Sequence, residues 1–258
     1  MAFDYSKIKT GWKRDIPDSR DLIFTSTLGG ARAIFPEKID LRKKFPKAYH
    51  QGFLGSCTAN AIGALFEFCR KHQKKSTFMP SRLFIYYNER VVEGSIKVDD
   101  GAAIRTGMKV CKKLGICDEA LWPYDDGSKQ FKLKPKKVCY AQAMNFQILS
   151  YEKVNQTLNA MKACLSEGFP FAFGVDIYAS FYSTSAEKTG IIKLPKPDEE
   201  YRGGHAMCCV GYDSKKKMFL VRNSWGEEWG KKGYCYMPFD YLLNSNLADS
   251  FWMMRLVE

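Results

Sequence analysis

Apolar positions follow two regimes along this chain: helical spacing first, short apolar runs later. The longest feature covers residues 56–72, which hold no proline and few polar residues before position 69. That pattern predicts a buried helix, with Gly55 and Ser56 as the turn and cap that start it. Pro80 and Ser81 open a second helix, in which Leu83, Phe84, Tyr86 and Tyr87 recur at helical spacing and Gly94 supplies the stop. Ile104, Met108, Cys111 and Leu114 mark a third, ended by Gly115, and Trp122, Pro123 and Tyr124 form a turn with a packing anchor. After a lysine-rich link the pattern becomes that of strands, at 146–154, 169–175, 205–212, 218–225, 233–237 and 251–256, interrupted by a short helix capped by Asn155 and running to Leu165. Helices first and strands afterwards predict an α+β chain.

The 258 residues, 45% hydrophobic and 14% aromatic, suffice for one large domain or two lobes sharing a cleft. No run approaches the roughly 18 apolar residues of a membrane helix, so no membrane partner is expected. The first ten residues carry no apolar stretch of the kind a secretory signal needs, so none is expected. Nine cysteines without a CxxC spacing then read as reduced thiols. Cys69, Cys111, Cys164, Cys208, Cys209 and Cys235 are expected in the core, and Cys117 with Cys139 is the one pairing left open. The net charge of +12, with lysines clustered at 74–75, 132–137, 215–217 and 231–232, predicts a solvated face that attracts polyanions weakly and without sequence preference. Aromatic residues do not interleave with these lysines as base stacking requires. Three scattered histidines offer no metal-ligand spacing, and no cofactor is expected.

Candidate chemistry begins at Cys57. In the first turn of the predicted helix, free backbone N–H groups and the helix dipole favour an anion, so the thiol becomes a usable nucleophile. Such a cysteine needs a base and a group that holds the base. His205, in Gly203-Gly204-His205-Ala206, is expected where a strand begins, and Asn223, in Asn223-Ser224-Trp225-Gly226, at a strand end. Gln51 precedes Cys57 by six residues.

Gln51-Gly52…Gly55-Ser56-Cys57, Gly204-His205-Ala206 and the stretch from Asn223 through Trp225 and Trp229 to Tyr234, in that order, resemble the papain-like cysteine proteases, the cathepsin group. The separation of Cys57 and His205, about 150 residues, lies in the roughly 130–150 interval of that group. The likeness is greatest to a branch without secretory signals, known from bacteria and large viruses, and implies an intracellular or virion-associated protein. It implies a peptidase domain over residues 35–258, with a helical left lobe at about 50–140, an antiparallel, barrel-like right lobe at about 141–258, and the active-site cleft between them. Cys57 is then the nucleophile that forms an acyl-thioester, His205 its proton carrier, Asn223 the group that fixes the ring and Trp225 the cover of their bond. Gln51 and the Cys57 N–H donate to the oxyanion. Gly101 and Ala102 are expected to pair with the substrate backbone, with Gly204 and Asp249 also lining the substrate site. Asp249 would favour a basic side chain two positions before the cut. The expected activity is that of an endopeptidase on peptide or protein substrates.

Two residues depart from the family pattern. Leu54 stands where a disulfide cysteine is usual, and Thr58 where an aromatic follows the nucleophile. Residues 1–34 are too short for the family's helical propeptide; they are expected to lie extended, either covering part of the cleft or serving as a structural arm. Two other functions use the same features: isopeptide cleavage or acyl transfer by the same three residues, and a catalytically silent polyanion-binding protein.

Overall fold

The computed structural model describes residues 3–28, 34–127 and 129–258; residues 29–33, within the predicted N-terminal extension, lie outside it. Among the described residues four α-helices precede residue 148: α1 (Cys57–His72), α2 (Arg82–Val92), α3 (Ile104–Leu114) and α4 (Lys137–Ala143). The first three match the predicted pattern. Ser81 caps α2 by accepting from the Phe84 N–H, and Gly115 closes α3 with φ +75°, its Cα facing the Ala143 carbonyl so closely that a Cβ would stand 1.7 Å from that oxygen. Ser56 does occupy the N-cap of α1, but its hydroxyl caps nothing; it lies 2.6 Å from the Tyr124 hydroxyl instead. Leu54 is buried with Leu83, Phe84 and Trp122, so a core side chain fills the place of the missing cysteine.

The strands are β1 (Trp12–Lys13), β2 (Lys38–Asp40), β3 (Ala102–Ala103), β4 (Ile148–Lys153), β5 (Phe171–Tyr178), β6 (Tyr201–Asp213), β7 (Met218–Arg222), β8 (Tyr234–Pro238) and β9 (Ala248–Val257). Seven of them form one antiparallel sheet in the order β4-β9-β5-β6-β7-β8, with β2 added at the end of β6. The sheet stays open, a mixed α+β arrangement with no closed barrel. The short helices α5 (Leu158–Ser166), α6 (Thr184–Thr189) and α7 (Phe239–Leu243) close its connections.

Three sequence expectations need correction. The cap of α5 is Thr157, whose hydroxyl accepts from the Ala160 N–H, rather than Asn155, because the cap must stand directly before the first helical residue. β6 starts at Tyr201, so His205 lies inside a strand and not at its start; Gly203 and Gly204 pair with Ile177 and Asp176, and backbone pairing extends the strand where no apolar run marks it. The lysine-rich link contains α4, which buries Cys139 and Ala143 while its lysines face water.

Helix α1 packs on α2 and α3 on one side and on β6 and β9 on the other. One apolar cluster joins α1 residues Ile62, Leu65 and Phe66 to Ala206, Val210, Leu220 and Trp252 of the sheet, and a second fills the other sheet face around Phe171, Phe173, Phe251 and Met253. All nine cysteines are free and buried. The helix that begins at Cys57 is thus the partition between the helical and the strand-rich halves.

The α1–α3 contact is close at Gly107, where a Cβ would meet Glu89 Oε1 and Ile62 Cδ1, each at 2.2 Å. A Gly107→Ala change gains about 1 kcal/mol of helix propensity but overpacks this contact at about 1–3 kcal/mol. With two contacts that short, the upper end applies. The variant is expected to be less stable by about 1–2 kcal/mol, read as a lower urea midpoint with unchanged slope; equal or higher stability would contradict the packing.

Candidate active site

His205 is fully buried in β6, and its Nε2 lies 2.7 Å from Asn223 Oδ1, one residue beyond the end of β7. Asn223 Oδ1 also accepts the Ser224 N–H at 2.8 Å, which fixes the amide. The Trp225 ring lies over this pair with its centroid 5.1 Å from the imidazole, and Phe181 and Trp229 pack on the Trp225 ring in turn. The bond assigns the proton to Nε2 and leaves Nδ1 as an acceptor, buried without a hydrogen-bond partner among the described residues.

Cys57, also fully buried, opens α1 against this strand. The backbone N–H groups of Ala206, the residue after His205, and of Gly11 and Thr58 act to lower its thiol pKa. Cys57 shares a buried cluster with Ala206, the neighbour of His205, where α1 packs on β6. Gln51 joins them from the loop before α1: its Oε1 accepts the Ser224 hydroxyl at 2.6 Å, and its Nε2 donates to Leu54 O at 3.1 Å and Lys9 O at 2.7 Å. The Tyr124 hydroxyl donates to Gln51 O at 2.6 Å and steadies the same loop.

Gly11 and Lys9 belong to the N-terminal segment, which crosses this site. Trp12 and Lys13 pair in parallel with Ala102 and Ala103, and the Ala102 N–H donates to Gly11 O at 2.8 Å. The backbones approach so closely that a Cβ at Gly11 would stand 2.2 Å from Gly55 O and one at Gly101 1.7 Å from Gly11 O. Trp12 is buried over Gly174 and Gly204. Before it, Phe3 and Tyr5 pack on Trp225 at 6.4 and 6.0 Å. After it, the Arg14 guanidinium donates to Asp176 at 2.8 Å and to Ser245 O and Asn246 O, with Asp249 at 3.8 Å. Asp15 accepts the Trp252 indole N–H at 2.6 Å, and the run ends at Phe24, bonded to Lys153 O beside the sheet edge. Gly101, Ala102 and Gly204 thus face a stretch of the chain's own backbone. Asp249 lies at the rim, paired with Arg14, rather than beneath Trp12.

Burial sets the charge state. It pushes the Cys57 thiol up to about 12, against the lowering by the three N–H groups, and pulls His205 down to about 4, against the raising by Asn223. The lowered thiol expected from the helix terminus is therefore reversed while the segment is in place: desolvation outweighs the dipole, and both groups are neutral near pH 7.

Trp12, Arg14, Tyr124 and Asp176 carry no local signal of their place here, because their contacts come from segments far apart in the chain, whereas Ser224 lies inside the Asn223-Ser224-Trp225 stretch.

The papain family cysteine protease model matches residues 35–248. A peptidase C1-like protein of Acanthamoeba polyphaga mimivirus is 42% identical, over 96% of this chain and 86% of that one. The structure of xylellain, a cysteine protease from Xylella fastidiosa, is 42% identical with a TM-score of 0.91, covering 96% of each chain. Pro-cathepsin H of Bos taurus is 28% identical over 91% of this chain and 68% of its own. The chain belongs to the papain family: it is a papain-like cysteine protease, a hydrolase with cysteine peptidase activity.

Because His205 lies below its ordinary 6.5 in the folded chain, the unfolded chain binds the extra proton between those values, and stability from this group is lost as pH falls from about 6.5 to about 4. In the full chain, the His205 Cε1–H resonance is expected to titrate near pH 4; a midpoint at or above 6.5 would contradict the buried, neutral pair.

Proposed function

We propose that this papain-family protease cleaves internal bonds of peptide and protein substrates with Cys57 as nucleophile, His205 as proton carrier and Asn223 as the group that orients the ring. The observation that carries the reading is the 2.7 Å bond between His205 and Asn223 beneath Trp225, with the free ring nitrogen buried where α1 delivers Cys57. With the N-terminal segment displaced, water returns, and the Cys57 proton passes to His205 Nδ1, giving a thiolate beside an imidazolium. The sulfur attacks the substrate carbonyl, and the oxyanion accepts from Gln51 Nε2 and the Cys57 N–H; Lys9 O holds the Gln51 donor in the covered state. His205 gives its proton to the leaving amine, and an acyl-thioester remains. Water, deprotonated by the same ring, releases the acid product and restores the thiol.

Residues 3–24 are proposed to hold the enzyme latent. Support comes from their path: Gly11 packs against Gly55 just before Cys57, Lys9 engages Gln51, and Trp12 pairs with the strand at Ala102. The acidic pair Asp176 and Asp249, which holds Arg14, is proposed to favour a basic substrate side chain once the segment leaves.

Cys57→Ala and His205→Ala are expected to abolish hydrolysis of a dipeptidyl amide, and Gln51→Ala to lower kcat by about 10²–10³-fold; full activity without Cys57 would end this reading. A small amide also separates the endopeptidase from a tail-specific isopeptidase, which would ignore it. Trp12→Ala weakens docking of the segment, and each 1.4 kcal/mol lost is about tenfold in the open fraction. The full-length variant should therefore hydrolyse the amide at least about tenfold faster, and an unchanged or lower rate would contradict latency. Asp249→Ala should lower kcat/KM for arginine-containing peptides relative to leucine-containing ones, and an unchanged ratio would remove its role.

A further inference from the structure

Glu89 is a buried carboxyl group that none of these steps uses. It lies on α2 at the junction with α1 and α3, fully shielded from water. Its Oε2 accepts the Thr58 hydroxyl at 2.9 Å, and its Oε1 has no hydrogen-bond partner among the described residues. Thr58 is the residue after Cys57, at the position where the sequence departs from the aromatic of its family, so that departure places a hydroxyl donor on this carboxyl. Gly107 of α3 leaves the space that Oε1 occupies, since a Cβ there would stand 2.2 Å from it.

The groups around Glu89 determine what its charge would do. Cys57 and Thr58 on α1, Cys111 on α3, Arg90 on its own helix and Glu93 at that helix's C-cap interact with it. Arg90 is committed elsewhere: its guanidinium donates to the carbonyls of Ile96, Val98 and Phe131. Glu93 accepts the Ala103 N–H and lies 3.7 Å from Lys13. Desolvation dominates, raising the Glu89 carboxyl to about 8, so it is a neutral acid at neutral pH. Once ionised, its charge opposes a negative sulfur on Cys57 and so raises the thiol further.

We propose that Glu89 is a positioning residue for the reaction: as a neutral acid bonded to Thr58 it lets Cys57 ionise, and on losing its proton it withdraws the thiolate. The inference rests on the reading of Cys57 as nucleophile and adds an alkaline limit separate from the loss of the His205 proton. It makes Glu89 an electrostatic partner of the sulfur and not only a filler of the helix junction.

The test is the rate at which iodoacetamide, a neutral reagent, labels Cys57 in the full chain, followed by peptide mass spectrometry from about pH 6 to pH 10. Opening of the N-terminal segment is common to wild type and Glu89→Gln, so it cancels in the ratio of their rates. That ratio is expected to be near one below about pH 7 and to rise to about tenfold above pH 9, the effect of roughly one pKa unit on Cys57. A ratio that stays flat while Cys57 is labelled overturns this inference alone; failure to label Cys57 at any pH overturns the nucleophile reading and this inference with it. Thr58→Val removes only the donor that favours the charged carboxylate. Its ratio to wild type should also climb on the alkaline side, and a flat ratio there counts against the proposal even if Glu89→Gln does not fold.

Discussion

Cys57 and His205 share one dry space, and the removal of water from it sets the charge on both. The sulfur has three N–H donors around it, and the imidazole has a bond to Asn223, yet burial still leaves one a thiol and the other a neutral ring. Either group alone could ionise only against a large desolvation penalty. In the proposed reaction the two exchange a proton once one face is hydrated, and the resulting charges compensate each other. The rest of the molecule can be understood as holding that space closed on all sides but one.

Each wall has a separate structural origin. Helix α1 supplies the sulfur and is itself fixed between two apolar clusters. The sheet supplies His205 from inside a long strand, where pairing with Val175 of β5 holds its backbone and β7 joins from Cys208 onward. Trp225, stacked among Phe181, Tyr182 and Trp229, closes the back. The N-terminal segment closes the front, and it does so with backbone as much as with side chains. Gly11 fits between Gly55 and Gly101 so closely that neither Gly11 nor Gly101 admits a Cβ. The strand it forms with Ala102 is parallel and only two residues long, and Trp12 and Arg14 add the burial and charge pairing that so short a ladder lacks.

Much of this was legible in the sequence. The three long helices follow from apolar spacing and glycine stops, and Cys57, His205, Asn223 and Gln51 stand out through motif order. What escaped depends on distant pairings. The start of β6 at Tyr201 is dictated by β5 across the sheet, and no apolar run announces it. The cap at Thr157 turned on a two-residue difference in where the helix begins. The raised thiol escaped for a different reason: the helix terminus predicts a lowered value, while the opposing burial comes from residues more than forty positions away. Glu89 likewise looks like an ordinary polar residue of an amphipathic helix until α3 and Thr58 are seen to enclose it.

The central claim is that a covalent bond forms between substrate and the sulfur of Cys57. Rapid quenching of the full chain during turnover of an activated ester, followed by mass spectrometry of the intact protein and its peptides, tests it directly. The account predicts a single acyl group on the peptide containing Cys57, released by hydroxylamine as a thioester is. Turnover with no adduct there, or an adduct on another residue with Cys57 free, would contradict it.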